Sequence, residues 1–169
     1  ASLFALIPNI LTRSSKEYPT LTHLEKKLAT LYGAEIDVDV SKIGENQILK
    51  LSICSIDDRF ALHNENIVEE CCKVLFELVF RPKLVDGMFL EDEVESEKRL
   101  LCERLAAEKN DKRAYAKNRC EEIMFSDEVY GINRLGTIEA IEAVTPESLY
   151  DAYNELLKTA VITMCVSGS

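Results

Sequence analysis

At Gly33 the chain changes its hydrophobic period. Before it, Leu21, Leu24, Leu28, Leu31 and Tyr32 recur every three or four residues, which is one face of a helix, and Gly33 supplies the stop. After it, Ile36, Val38 and Val40 alternate with Glu35, Asp37, Asp39 and Ser41, the period of a strand with one buried and one solvated face. Gly44-Glu45-Asn46 turns the chain, and Leu49, Leu51 and Ile53 return as the partner strand of a hairpin. A chain of this length and composition, 169 residues with 47% hydrophobic and 30% charged, is an ordinary folded domain and not a disordered tail or a collagen-like rod.

The flanking segments read as helices. Leu3, Leu6, Ile7, Ile10 and Leu11 form a short apolar face containing Pro8, which must sit in the first turn or make a kink. Ile67, Cys71, Val74, Leu75 and Leu78 define a helix that Pro82 ends. Beyond a loop at Asp86-Gly87, the acidic cluster Glu91, Asp92, Glu93, Glu95 and Glu97 leads into Lys98, Arg99, Arg104 and Lys109, the charge order a helix dipole favours. Ala116, Cys120, Ile123 and Met124 mark a fifth helix. Thr145-Pro146-Glu147, an N-cap with proline behind it, opens a sixth, with Leu149, Tyr153, Leu156 and Leu157 as its buried stripe. The β-prone run Ala160 to Val166 reads as a central strand.

Six helices and three strands predict an α+β fold with a mixed or antiparallel sheet covered on one side by helices. Such a sheet is too narrow for so many apolar helix faces. The chain also opens without methionine and stops at Gly168-Ser169 just after the last expected strand. The expectation is one domain over residues 1–169, a piece of a longer protein whose first sheet strands are missing.

Chemistry is constrained by what is scarce. His23 and His63 are the only histidines, so a three-His zinc site and a Cys₂His₂ finger of ordinary spacing cannot be built, and each reads as a solvated side chain at a helix start. None of the 6 glycines falls in a phosphate-cradling pattern, and no serine sits in a G-x-S-x-G elbow. The six cysteines, Cys54, Cys71, Cys72, Cys102, Cys120 and Cys165, read as reduced core thiols, with Cys71, Cys102 and Cys120 on apolar helix faces or their borders. A cytoplasmic location is the corresponding expectation. No apolar run reaches the roughly 18 residues of a membrane span.

The formal net charge is −10, which argues against nucleic acid as a partner. Between Lys98 and Arg119, however, eight basic residues face three acidic ones, a net of +5, leaving −15 for the rest. This stretch reads either as a solvated helical pair with intrahelical ion pairs or as a contact surface for an acidic partner or peptide.

Several stretches in order carry a resemblance: Tyr18-Pro19-Thr20, Leu31-Tyr32-Gly33-Ala34, Glu97-Lys98-Arg99-Leu100-Leu101, Asp111 to Ala116, Tyr130-Gly131, Gly136-Thr137 and Val144 to Tyr150. Together they resemble insulinase/pitrilysin-type zinc peptidases over nearly the whole chain. The nearest likeness is to the zinc-less, processing-peptidase-like member of a pair in Gram-positive bacteria. Active members of that family carry H-x-x-E-H on a helix, where two His bind zinc and the Glu activates water, and a further Glu ligand lies downstream. The resemblance sets this motif on Ala5-Leu6-Ile7-Pro8-Asn9 and the downstream ligand on Arg104, seven residues after Glu97. No ligand stands at Ala5, Pro8 or Asn9, and a guanidinium at Arg104 repels a metal cation.

The resemblance therefore implies a non-catalytic peptidase-like domain without zinc of its own, paired with a homologous zinc-bearing subunit or with itself. It also implies contact with extended peptide, and no role for nucleic acid or membrane. Arg104, Lys109, Lys112 and Arg113 are the expected partner or peptide contacts, with Arg104 alternatively a structural cation paired to Glu97 or Glu108. The alternatives are an active zinc peptidase with its ligands elsewhere, and a purely structural scaffold.

Overall fold

The computed structural model describes residues 1–168, which form seven α-helices and one antiparallel pair of strands, an α+β arrangement. In chain order they are α1 (Ser2–Leu11), α2 (Leu21–Thr30), β1 (Glu35–Ile43), β2 (Asn46–Cys54), α3 (Ile67–Phe80), α4 (Glu91–Ala107), α5 (Lys112–Met124), α6 (Ile138–Glu142) and α7 (Pro146–Thr159). Among the described residues no helix is long and apolar enough to cross a membrane.

Local chemistry sets most boundaries. Thr20 caps α2 by accepting from the backbone N–H of His23, and Gly33, at φ +75°, lets its own N–H return to the Leu28 carbonyl at 3.1 Å. Asp111 caps α5, its carboxylate accepting from Arg113 and Ala114 N–H at 3.0 Å each. Thr145 and Ser148 form a reciprocal capping box at the start of α7, with Pro146 in the first turn. The hairpin pairs Ile36 with Ile53, Val38 with Leu51 and Val40 with Leu49 across a two-residue loop that begins at Gly44, φ +58°. Those six side chains share the inward face, whereas Glu35, Asp37 and Lys50 stay exposed.

Two hydrophobic clusters result. In one, Ala5, Leu6, Ile7 and Ile10 of α1 meet Val94 and Leu101 of α4, Ile141 of α6, and Leu149 and Tyr153 of α7. The other gathers Leu24, Leu31, Ile67, Cys71, Val74 and Leu78 beneath α2 and α3. The hairpin spans both: Val40 and Leu49 join the first cluster, Ile36, Leu51 and Ile53 the second.

Four expectations need correction. Residues 160–168 form no strand and are exposed, Val161 to 93%. A strand requires a neighbour's N–H and C=O groups, and β1 and β2 pair only with each other among the described residues. Of the two alternatives for Pro8, a first-turn place or a kink, the first is not taken: it lies in the last turn of α1, where its missing N–H leaves the Phe4 carbonyl without its intrahelical donor. The short helix α6 between Thr137 and Ala143 adds to the six expected helices; Thr137 caps it through the Ala140 N–H. Finally, all six cysteines are free, but only Cys71 is buried: Cys72 and Cys102 are half-buried, and Cys54, Cys120 and Cys165 are exposed. Cys120 misleads because α5 has no buried residue at all, so its apolar spacing meets no core.

Candidate functional site

The resemblance directs attention first to α1. Ala5 is fully buried, Pro8 is buried, and Asn9 is half-buried with its side-chain amide donating to the Ala5 carbonyl at 3.3 Å. Zinc sites are built from Cys sulfur, His nitrogen and Asp or Glu oxygen; Ala5 and Pro8 offer no ligating side-chain atom, and Asn9 brings only a neutral amide whose N–H is spent on backbone. These residues do not fit a metal ion. Among the described residues no group of three or more His, Cys, Asp or Glu side chains comes together in a way that could hold one. His23 and His63 are both exposed, the ring Nδ1 of His23 lying 2.6 Å from Thr20 Oγ1.

On α4 the two landmark residues have different environments. Glu97 is buried, and its carboxylate accepts from the Nε–H of Arg13, just beyond α1. One turn earlier Glu93 accepts from Ser14 Oγ at 2.9 Å, and beside Glu97 the buried Lys98 donates to Glu95 and to the Val144 carbonyl. The N-terminal half of α4 is thus a polar seam joining the end of α1 to the segment before α7. Arg104 stands two turns further on and is exposed. Its expected pairing does not form: Glu97 is engaged by Arg13 and Glu108 by Arg134, and among the described residues no carboxylate lies within ion-pair distance of Arg104. Glu97 is held in the buried seam, and Glu108, at the start of the 3₁₀ turn Glu108–Asn110, pairs with Arg134.

Arg104 continues into Lys109, Lys112 and Arg113, all exposed, across the end of α4, the 3₁₀ turn and the first turn of α5. None of the four meets a carboxylate among the described residues; Lys112 donates only to the Lys109 carbonyl, at 3.4 Å. Over the adjoining stretch the remaining cations are neutralised, Arg99 by Glu103, Lys117 by Glu121 and Arg119 by Glu122. The +5 segment therefore divides into ion-paired helix surface and one unneutralised ridge of four. Next to the ridge a cleft of about 220 Å³ opens, lined among others by Leu105, Lys109, Tyr115, Asn118 and Ile138.

The unit that carries the ridge is attached by polar contacts. Lys42 of β1 donates to the Tyr130 carbonyl at 2.5 Å, lies 4.2 Å from the Tyr130 ring centroid, and is 3.7 Å from Glu121. Gln47 donates to the Arg134 carbonyl at 2.6 Å, and Glu108 receives both Arg134 and Asn118. Gly136 fits the loop against α1: it has φ +82°, and a Cβ there would fall 1.8 Å from Ser2 Oγ. Lys42, Gln47, Arg13 and Ser14 escaped sequence reasoning. None of the four stood in a motif, and the need of Glu97 for a cation became visible only with its burial in the fold.

Two of the six thiols are moved away from reactive chemistry. Burial pushes the thiols of Cys71 and Cys102 upward, away from the thiolate form that attacks or ligates. Among the described residues the Glu70 carboxyl stands out: it is held down at about 2 by hydrogen bonds from Lys27 and Lys73, an arrangement that ties α2 to α3.

No family model matches the chain. It is similar to a Bacillus subtilis (strain 168) protein named "Probable inactive metalloprotease YmfF", with 29% identity over 164 residues, 97% of this chain and 38% of that protein. A crystal structure of a conserved protein from Enterococcus faecalis V583 superposes with a TM-score of 0.84 at 28% identity, over 92% of this chain and 37% of that one. The chain thus spans well under half the length of either relative.

Proposed function

We propose that this chain belongs to a non-catalytic, peptidase-like subunit of the insulinase/pitrilysin type, which pairs with a homologous zinc-bearing subunit and helps to hold peptide substrate. The observation that carries this reading is the state of the motif positions: Ala5 and Pro8 are built into the core, Asn9 bonds to backbone, and Arg104 stands where a carboxylate ligand is expected. The name of the Bacillus relative, an inactive metalloprotease, supports the same conclusion. That the chain covers 38% of that relative fits a single domain of a longer subunit. Six free cysteines suit a reducing cytoplasm.

The test is metal analysis and peptide cleavage on the intact protein, alone and after co-purification from its source. The expected result is no stoichiometric zinc, no cleavage by the isolated protein, and recovery of a homologue with H-x-x-E-H intact. Stoichiometric zinc lost on chelation together with cleavage would overturn the reading in favour of an active enzyme. Recovery of no homologue would leave a peptidase-like scaffold without its partner and overturn the pairing.

A further inference from the structure

Exposed cations of this chain such as Lys73, Arg99 and Arg119 pair with an acid on their own surface, in a sequence with 30 acidic residues against 20 basic ones. Arg104, Lys109, Lys112 and Arg113 do not, although they fall within ten residues of one another and stand on three successive elements. The nearby acids are already committed: Asp111 caps α5, Glu108 takes Arg134 and Asn118, Glu103 takes Arg99 and Glu122 takes Arg119. The ridge is thus an unneutralised positive surface on an otherwise acidic molecule, a field that concentrates anions locally.

The adjoining cleft narrows what such an anion can be. At about 220 Å³ it is smaller than the roughly 300–1,000 Å³ of small-molecule sites. Leu105 and Ile138 give it apolar wall and the half-exposed Tyr115 an aromatic one, so it suits one apolar or aromatic side chain. Lys109 belongs both to the ridge and to the cleft lining, so one ligand can engage the two together. Glu108, Glu122 and Glu139 also line the cleft and disfavour negative charge inside it, which places carboxylates over the ridge and an uncharged side chain in the cleft. A nucleic acid fits less well: its evenly spaced phosphates would meet Glu108 and Asp111 between the cations, under a net charge of −10. A peptide can set its few carboxylates where the cations are.

We propose that the Arg104-Lys109-Lys112-Arg113 ridge and the cleft beside it dock an acidic peptide segment, two or more Asp or Glu residues flanking one apolar or aromatic side chain. The proposal rests on the peptide-holding reading above and adds the chemistry of the peptide. Exposed pairs of this kind are individually weak and screened by salt, so the docking is expected to be modest in affinity and to fall as ionic strength rises.

Fluorescence anisotropy on the intact protein with a labelled peptide of sequence Glu-Asp-Phe-Asp-Glu tests it without any need for catalysis or a partner subunit. The peptide is expected to bind more tightly at low salt than at high. The triple reversal Arg104→Glu, Lys112→Glu, Arg113→Glu should weaken it by about tenfold or more. Reversal of the distant, exposed Lys26 and Lys50 should leave binding within about twofold, since charges beyond a Debye length are screened. The single variant Arg104→Glu should give a smaller loss in the same direction, and unchanged circular dichroism guards against misfolding. Equal binding of a Lys-Phe-Lys peptide, binding that ignores the triple reversal, or no acidic-peptide binding at all would overturn the proposal. So would a single-stranded oligonucleotide that competes as well as the peptide, or self-association abolished by the reversal in place of peptide binding. Those failures leave the zinc and partner results untouched, while chelator-sensitive cleavage would overturn the non-catalytic reading even if the acidic peptide still binds the ridge.

Discussion

Helices α1 and α5 have similar lengths and opposite fates. Seven of the ten residues of α1 are buried, among them two of the positions where the resemblance expects metal chemistry. None of the thirteen residues of α5 is buried, and it holds its place through its Asp111 cap and the polar contacts of Lys42, Asn118 and Arg134. The difference shows how a helix face can exchange roles. Once Ala5 and Pro8 are the residues at the motif, the space goes to packing and the face becomes core. On α5 no such demand exists, so charge accumulates at its start and apolar side chains such as Ile123 and Met124 remain in water.

Substitutions can break this contrast. Leu6→Ala in α1 removes a fully buried side chain from the first cluster and should cost about 3 kcal/mol, measured by urea unfolding; a loss under about 1 kcal/mol would show that α1 is not packed into the core. Glu97→Ala strips the Arg13 guanidinium of its carboxylate where α1 ends on α4, and should cost about 2 kcal/mol, less than a fully buried pair because Arg13 is partly exposed. Thr145→Ala, which dismantles the α7 capping box, should cost about 1 kcal/mol, and Thr145→Ser should restore most of it.

Smaller still is a pH effect. Glu70 has its carboxyl held at about 2, below the usual value near 4.5, so its contribution is present above the ordinary carboxyl pKa and is lost as pH falls toward 2. In Lys27→Met the Glu70 carboxyl should titrate closer to the ordinary value, followed by NMR, with acid stability between about pH 4.5 and 2 less dependent on pH. Last, Ile123→Ser on α5 should change stability by less than about 0.5 kcal/mol; a large loss would mean that α5 is buried against something in solution.

Local signals were read with good return. The spacing around Leu24, the stop at Gly33, the alternation from Ile36 to Val40 and the Thr145-Pro146 start all correspond to α2, the hairpin and α7, because caps, turns and periods depend on residues a few positions apart. Segments whose state depends on a distant partner were read poorly. Ala160 to Val166 has strand composition and no ladder, and Cys120 has helical spacing and no core. Around the candidate site, the emptiness of positions 5, 8 and 9 was legible from residue identity alone. The pairing of Arg104 with Glu97 or Glu108 was not, because it turned on Arg13 and Arg134, which are remote in sequence and reach those acids first.

By itself the sequence determined the order and kind of most elements, the hairpin and its turn, and the absence of His, Cys, Asp and Glu from α1, since each follows from side-chain chemistry and short-range geometry. Only the tertiary structure decided which charges cancel. Ion pairs are made across the fold, over 84 residues from Arg13 to Glu97 and 26 from Glu108 to Arg134, so a basic stretch in the sequence becomes a mostly neutral surface with four cations left over. Which four they are depends on which acids the folded chain has already engaged.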